Sequence, residues 1–319
     1  MDALADVLAT TGFSGVLVAQ LRSRGPGWGC ALEQQNTAGF HLVAEGACWL
    51  RVEGRPPLQL VPGDVVLLPR GEPHSLVGAP EAAAVPYAEL EAAHPPGREG
   101  VVDLGGLGPV VRVVCGKFSY EGDATRHPVL SALPAVIHVP GMSADAELQG
   151  IIRLLIAETT RTRPGARVVA ARLTDVLFVQ VIRAWLELTE ADAETGAGSR
   201  QRSWLTALHD PRIGAALSLV HETPEAPWTV ESLAREVAMS RPAFARQFRE
   251  LVGAAPLAYV SRLRVDRAAR LLRETDDPVG DIGEAVGYAS EFTFSRAFSR
   301  ELGIAPGRYR RAARARPAA

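Results

Sequence analysis

Two of the three cysteines in the chain lie where a thiol could react. Cys30 follows the flexible segment GPGWG, and Cys115 ends a strand-like run near the cationic residues Arg112 and Lys117. Cationic neighbours lower the pKa of a thiol, and the thiolate is the form that oxidants attack. We therefore predict that Cys30 and Cys115 form a redox-sensing pair, with Cys48 as a bystander. The alternative is that all three are unreactive core residues, the commoner role of isolated cysteines.

A second set of residues combines imidazole, carboxylate and indole groups. His41 is followed four positions later by Glu45, and His74 lies further along the same strand-rich region. Three side chains of these types can hold Zn²⁺ or Fe²⁺ with one coordination position open. The histidines can equally be hydrogen-bonded core residues. Together with Trp28 and Trp49 they could also line a pocket for one small molecule. A small molecule, an oxidant and a metal thus stay open as signals.

The third set is rich in arginine and lies in the last third of the chain, where one pattern occurs twice. SRPAFARQFRE and SEFTFSRAFSR open with Ser240 and Ser290 and repeat Phe and Arg at matching positions. Each copy predicts a short helix, a tight turn and a second helix, the arrangement that places a helix in the DNA major groove. The residues predicted to face DNA are Ser240, Arg241, Ala245, Arg246 and Arg249 in the first copy, and Ser290, Glu291, Thr293, Ser295, Arg296 and Arg300 in the second.

Arginine suits this role because its guanidinium can form two hydrogen bonds with guanine, while Ser and Thr can bond bases or phosphates. The apolar residues between these positions are predicted to fill one small core in each copy. They are Leu233, Ala234, Val237, Phe244, Phe248 and Leu251 in the first copy, and Ile282, Ala285, Val286, Phe294, Phe298 and Leu302 in the second.

Charge is distributed unevenly along the chain. Residues 223–319 contain 16 Arg, no Lys and 12 acidic residues, whereas the rest of the chain has 18 basic and 24 acidic residues. Nucleic acid is therefore expected to meet the C-terminal part alone. The first residues, MDALADVLATTGF, lack the basic start of a secretory signal, and no apolar run approaches roughly 20 residues. With an odd number of cysteines, this predicts a cytoplasmic protein with reduced thiols and no membrane contact.

The elements that would position these residues differ along the chain, and the predicted fold class is α+β. Residues 1–142 contain short apolar runs between Gly/Pro turns and predict a barrel or double sheet. Residues 143–190 change to a helical period and predict a hairpin of two helices, which is either a homodimer interface or internal support. Residues 191–206 are small and polar and predict a linker. Residues 207–319 predict an all-α domain with two helix-turn-helix units.

The stretch GYASEFTFSRAFSRELGIAPGRYRR resembles the signature of the AraC/XylS family of bacterial transcription regulators. The spacing from Gly63 to His74 resembles the second motif of the cupin barrels, while the first motif has Gly39 in place of its first histidine. The resemblance implies a cupin-like sensor barrel, in which His41, Glu45 and His74 match three of the four cupin ligand positions for a divalent metal, Zn²⁺ or Fe²⁺. It also implies a homodimer, and promoter DNA and RNA polymerase as partners. Pro242 and Ala245 make the first recognition helix less polar than is usual in the family.

We therefore predict a transcription regulator, not an enzyme, whose barrel senses a small molecule or an oxidant and controls promoter binding or activation. The alternative is a metal-dependent cupin enzyme with a DNA-binding tether. The defective first cupin motif and the lack of a paired acid/base motif argue against that alternative.

Overall fold

The computed structural model describes residues 7–8, 13–97, 100–120, 129–130, 133–160, 163–194, 207–208 and 210–314. The chain divides into two compact units. The N-terminal unit comprises residues 13–200, and the C-terminal unit comprises residues 201–319 with the first twelve residues. Within the described ranges, none of the helices combines the length and apolarity needed to cross a membrane. Most of the linker predicted at residues 191–206 lies outside the described residues.

The N-terminal unit is built on two sheets. Its strands are β1 (Ser14–Arg24), β2 (Gly29–Leu32), β3 (Ala38–Glu45), β4 (Cys48–Val52), β5 (Leu58–Leu60), β6 (Val65–Leu68), β7 (His74–Val77), β8 (Val85–Pro86), β9 (Val101–Gly106), β10 (Val110–Ser119) and β11 (Ile137–Val139). One sheet has the order β11-β6-β3-β10-β1-β9 and the other β5-β4-β7-β2-β8. Strand pairs β1–β9 and β2–β8 are parallel, and the other pairs are antiparallel.

Side chains from both sheets meet in one apolar core. Leu21 and Val113 come from the six-stranded sheet, and Leu50 and Leu76 come from the five-stranded sheet. This pattern follows from the alternation of side chains along a strand, which sends every second residue to the same face. The tight turn before β7 needs glycine at Gly71, where φ is +64° and a Cβ would lie 2.3 Å from the carbonyl oxygen of Gln35.

The described part of the N-terminal unit also contains the helices α1 (Tyr87–Ala93), α2 (Ala146–Thr160) and α3 (Ala166–Glu194). Helix α2 buries Leu148, Ile152 and Leu155 and packs against α3, as the predicted helical hairpin requires. Helix α3 packs on β1, where the backbone N–H of Gly15 donates to Asp175 Oδ1 at 2.6 Å. This hydrogen bond attaches the helical hairpin to the sheet.

The C-terminal unit is helical throughout its described elements. These are α4 (Ile213–Glu222), α5 (Val230–Glu236), α6 (Arg241–Val252), α7 (Pro256–Glu274), α8 (Val279–Ala285), α9 (Glu291–Leu302) and α10 (Pro306–Arg314). Helices α5 and α6 form the first helix-turn-helix, α8 and α9 form the second, and α7 connects them. Serines start both recognition helices, and Gly253 and Gly303 end them in the left-handed conformation.

Each helix-turn-helix has a small aromatic core. Phe244 and Phe248 are fully buried in the first copy, and Phe294 and Phe298 in the second, with ring centroids 5.5 Å apart in each pair. The prediction that Ala285 belongs to the core is wrong, since its side chain is exposed. Helix α8 instead approaches α9 through its buried Gly283, where a Cβ would lie 3.0 Å from Phe294. The close contact of the two helices at Gly283 turns Ala285 towards solvent.

The predicted α+β fold class is confirmed: a sheet-rich N-terminal unit with a helical hairpin precedes an all-α helix-turn-helix unit.

Candidate sensor cavity and nucleic-acid interface

The N-terminal unit contains a cavity of about 70 Å³ that is lined by residues from strands of both sheets. We call it the sensor cavity. The side chains that line it with polar, charged or sulfur-containing groups are Cys30, Gln35, Thr37, His41, His74, Tyr87, Cys115 and Lys117, and the remaining lining is apolar or glycine. One water needs roughly 10–15 Å³, so the cavity has room for a few water-sized molecules. Pockets for drug-sized ligands measure about 300–1,000 Å³, so this cavity is smaller than such a site.

A chain of hydrogen bonds begins at Cys115 and crosses the cavity wall. Cys115 Sγ lies 3.1 Å from His41 Nδ1, and His41 Nε2 lies 2.7 Å from His74 Nε2. His74 Nδ1 lies 2.7 Å from the carbonyl oxygen of Glu72. A carbonyl can only accept, so His74 carries its proton on Nδ1 and, when neutral, accepts on Nε2. His41 must then donate from Nε2, which leaves its Nδ1 to accept the thiol proton of Cys115.

This order assigns every proton in what we call the thiol–imidazole relay: Cys115, His41, His74 and the Glu72 carbonyl. His41 and His74 are 2% and 8% exposed. Burial lowers the pKa of His41 well below its usual value, and the charge of His74 adds to this effect. Burial also lowers the pKa of His74, against the opposing hydrogen bond to Glu72. Both rings are therefore neutral at neutral pH.

The thiols have the opposite pKa shift from the one that the sequence predicts. Burial raises the pKa of Cys115 well above its usual value, with the neighbouring Cys30 and Cys48 adding to the effect. Burial likewise raises the pKa of Cys30 to about 12. The expectation that cations activate Cys115 is therefore wrong. Arg112 pairs with the exposed Glu45, and the desolvation cost of a buried thiolate dominates.

The predicted metal ligands do not converge on one point. Glu45 lies at the end of β3 with its side chain 53% exposed, and one of its oxygens is 3.8 Å from Arg112. His41 uses its two ring nitrogens in opposite directions, towards Cys115 and His74. Across the described part of the chain, no three His, Cys, Asp or Glu side chains are placed to hold a metal ion. The residues do not fit a resident metal.

Of the predicted sensing residues, the structure brings Cys30, Cys115, His41 and His74 to the sensor cavity, but not the tryptophans. Trp28 is buried in the core beside Gly78, and its indole N–H finds no hydrogen-bond partner among the described residues. Trp49 is half-buried, and its neighbours on β4 are the residues that point into the core. Trp28 and Trp49 therefore belong to the surrounding packing. Cys48, the predicted bystander, is fully buried.

Sequence reasoning missed Tyr87, which lines the cavity from the start of α1. It follows a run of Ala and Pro that carries no strand or helix period, so no local signal placed it there.

The first recognition helix, α6, exposes three of its predicted DNA-facing residues. Arg241, Arg246 and Arg249 are exposed, and Ala245 is half-buried. Ser240 Oγ accepts from the backbone N–H of Ala243 at 3.4 Å. Its position is that of the helix N-cap, so its hydroxyl has a structural role in the free protein.

The second recognition helix, α9, has more intramolecular contacts. Ser290 Oγ caps the helix by accepting from the backbone N–H of Thr293, and the Thr293 hydroxyl donates back to the Ser290 carbonyl at 2.8 Å. Glu291, Thr293 and Arg296 are exposed, and Ser295 is half-buried. Arg300 lies 3.3 Å from Glu301 and its side chain is 68% exposed. An exposed ion pair of this kind is weak, so Arg300 remains available to a DNA phosphate or base.

Sequence reasoning also missed Phe292. Its side chain is 70% exposed on α9, and the guanidinium of Arg296 lies 5.7 Å from its ring centroid. The two residues are four positions apart and therefore share one helix face. An aromatic residue at a DNA-facing position can contact the methyl group of thymine. Its spacing from Arg296 is the sequence signal that could have identified it.

Comparison with known proteins places these features in a family. Two family descriptions match the chain, "Cupin" over residues 2–187 and "Helix-turn-helix domain" over residues 233–312. An AraC-like transcription regulator of Streptomyces antibioticus is 35% identical over 98% of this chain and 99% of its own length. The chain belongs to the AraC-like transcription regulators.

Two further relatives of this AraC-like regulator are named for transcription control. The transcriptional regulator AlkR of Acinetobacter baylyi is 28% identical over 97% of this chain and 99% of its own length. RclR of Escherichia coli, named as an RCS-specific transcriptional activator, is 30% identical over 85% of this chain and 83% of its own length. The prediction of a DNA-binding transcription regulator is confirmed, and with it double-stranded DNA as a partner. The alternative of a cupin enzyme is not supported.

Proposed function

We propose that this AraC-like regulator reads promoter DNA with α6 and α9 and that oxidation of Cys115 and Cys30 in the sensor cavity controls this binding. The observation that carries the proposal is the shared cavity of the two thiols, in which Cys115 is hydrogen-bonded to the relay. Burial keeps both thiols protonated, so a reaction at Cys115 needs an adjacent proton acceptor. His41 Nδ1, at 3.1 Å, occupies that position. A cavity of about 70 Å³ admits an oxidant the size of hydrogen peroxide.

The proposed reaction has two steps. In the first, Cys115 sulfur attacks one oxygen of hydrogen peroxide and the O–O bond breaks. The thiol proton passes through His41 to the departing hydroxide, which gives a sulfenic acid and water. In the second, Cys30 sulfur attacks Cys115 sulfur, the S–O bond breaks, and the Cys30 proton joins the leaving hydroxide as water. The peroxide is reduced by two electrons, and the two thiols are oxidised to one disulfide.

Such a disulfide would change the N-terminal unit because it joins different sheets. Cys30 lies on β2 of the five-stranded sheet and Cys115 on β10 of the six-stranded sheet. A disulfide holds its two Cα atoms about 4.4–6.8 Å apart, so it sets the separation of the sheets at the cavity. Helix α3 packs on β1, the neighbour of β10, and this gives the change a route to the helical hairpin.

The test is DNA binding under reducing conditions and after mild oxidant. The probe is the DNA upstream of the protein's own gene, and both hydrogen peroxide and hypochlorous acid are used as oxidants. Wild type is compared with Cys30→Ser, Cys115→Ser and the matched control Cys48→Ser. We expect oxidant to change the affinity or footprint of wild type and Cys48→Ser only.

An oxidant response that survives in Cys30→Ser or Cys115→Ser would contradict the disulfide. Equal binding of all four proteins in every condition would contradict redox control altogether. The apolar part of the cavity lining would then favour a small apolar effector instead.

We further propose that the protein acts as a homodimer through the hairpin of α2 and α3. Leu154 on α2 and Val168, Val169 and Val176 on α3 are exposed apolar side chains, with exposed fractions from 45% to 67%. A second copy of the same face would remove them from water. The test is to measure the oligomeric state by sedimentation for wild type and for one variant that carries both Leu154→Glu and Val176→Glu. We expect a dimer for wild type and a monomer for the variant. A monomeric wild type, or a dimer in both proteins, would contradict it.

A further inference from the structure

Arg264, near the middle of the connecting helix α7, bonds backbone carbonyls from two distant parts of the C-terminal unit. Its Nε donates to the carbonyl of Pro224 at 2.6 Å, and its Nη2 donates to those of Ala226 at 2.7 Å and Glu225 at 3.4 Å. Its Nη1 donates to the carbonyl of Gly287 at 3.0 Å. Four carbonyl oxygens thus converge on one guanidinium.

These carbonyls belong to different helix-turn-helix units. Residues 224–226 lead into α5, which Thr229 caps, so they fix the start of the first unit. Gly287 forms the turn between α8 and α9 in the second unit. Arg264 therefore contacts the entry of one unit and the turn of the other through a single planar group.

The same two segments also touch each other directly. Gly287 has a φ of +88°, and a Cβ at this position would lie 2.5 Å from the Glu225 carbonyl oxygen. The ring of Tyr288 lies under the guanidinium, with its centroid 5.7 Å from Arg264 Cζ. The backbone contact brings the carbonyls together, and the guanidinium binds them where they meet. Four acceptors facing one another without a donor would be unsatisfied and would repel.

From these contacts we propose that Arg264 is a positioning residue that sets the relative placement of α6 and α9, so that both can enter successive major grooves. Recognition helices that read neighbouring half-sites on one DNA face lie about 34 Å apart, one helical turn. A rigid link makes the second binding event intramolecular, and its benefit is lost when the geometry does not match the DNA. The inference rests on the proposal that α6 and α9 both read DNA.

Lysine cannot replace Arg264 in this role. Its ammonium is a point charge with three donors, whereas the guanidinium offers five donors in a fixed plane. An Arg264→Lys variant keeps the positive charge and the aliphatic stem but cannot reach four carbonyls in this arrangement. Arg267→Lys is the matched control, since Arg267 lies on the same helix and forms an ion pair with the Glu225 side chain at 4.0 Å.

The experiment uses the full-length chain and a duplex selected from a random library by the wild-type protein. Each of the two footprinted major-groove segments is then scrambled in turn, which leaves a duplex for one recognition helix. We expect Arg264→Lys to bind the intact duplex roughly tenfold or more weakly, because it loses the benefit of a rigid link. On either scrambled duplex it should match wild type. Arg267→Lys should match wild type on all three.

A second variant addresses loss of folding. Gly287→Ala pushes the same two segments apart from the opposite side, so it should give the same pattern, and thermal unfolding shows whether each variant is folded. Unchanged binding of Arg264→Lys to the intact duplex, or an equal loss on intact and scrambled duplexes, overturns the inference. If scrambling one of the segments leaves the affinity of the wild-type protein unchanged, the proposal that both helices read DNA fails instead.

Discussion

His41 Nε2 and His74 Nε2 lie 2.7 Å apart, so the two rings share a single proton between them. A second proton at this contact would place two donors face to face in a buried site. The pair is therefore stable only when at most one nitrogen of the contact is protonated. In place of the metal site expected from the sequence, the structure therefore has a hydrogen-bonded pair of histidines that contacts the thiol of Cys115.

The relay predicts that His41 controls the reaction rate of Cys115. Replacing His41 with Gln removes the proton acceptor, and we expect oxidation of Cys115 by hydrogen peroxide to slow by roughly 100-fold, within the usual range for a general base. The rate is measured by trapping the remaining thiol with a maleimide and mass spectrometry. His94→Gln, at an exposed histidine beyond α1, is the control. Equal rates in wild type and His41→Gln would show that the relay plays no part.

The buried imidazoles also predict how the stability of the N-terminal unit depends on pH. The pKa values of His41 and His74 are lowered in the folded state, so below about pH 6.5 the unfolded chain binds protons that the folded chain does not. The free energy of unfolding should therefore fall as pH drops below about 6.5 and stay level above it. The measurement is urea unfolding between pH 5 and 8, and His41→Gln should show a shallower fall. An equal slope in the variant would contradict this assignment.

The stability of the C-terminal unit is predicted to depend on pH in the opposite direction. Burial raises the pKa of Asp266 on α7 to about 7, and Arg262 and Arg273 only partly counter this effect. Between about pH 4 and 7 the folded carboxyl keeps a proton that the unfolded one has lost, so stability should decline as pH rises through this range. Asp266→Asn, which stays neutral, should flatten that part of the curve for this unit. A decline of the same size in the variant would exclude Asp266 as its source.

On DNA, Arg296 is predicted to read a base with Phe292 beside it. Arg296→Ala should cost roughly 1–3 kcal/mol of binding free energy and relax sequence preference at one position. Phe292→Ala should weaken binding chiefly to duplexes with thymine at the contacted step. Fluorescence anisotropy with single-base variants of the selected duplex measures both effects. An equal loss of affinity for all duplexes would indicate that these residues contact phosphates instead of bases. An unchanged affinity would show that neither residue contacts DNA.

Much of the C-terminal unit is predictable because its signals are local. The N-cap residues Ser240 and Ser290 and the buried pairs of phenylalanines act over three or four positions within one helix. The structure therefore has these serines as N-caps and these phenylalanines buried, as their spacing predicts. Ala285 is the exception, since the contact made by Gly283 depends on how closely two helices approach.

The sensor cavity is less predictable because its residues come from strands far apart in the chain. His41 and Cys115 are 74 positions apart and meet because β3 pairs with β10 in a register that places them opposite each other. The neighbours of Cys115 in sequence suggested a lowered pKa, whereas burial, which is a property of the folded unit, raises it.

The sequence by itself determined the class of protein, the two-part architecture and the buried faces of the recognition helices, because periodicity and capping act within a few residues. Only the tertiary structure decided that His41 and His74 form a relay to Cys115 instead of a metal site with Glu45. It also decided that Arg264 joins the two helix-turn-helix units. Both outcomes depend on which backbone and side-chain groups meet across the fold and how far water is excluded from them, and no spacing along the chain encodes either quantity.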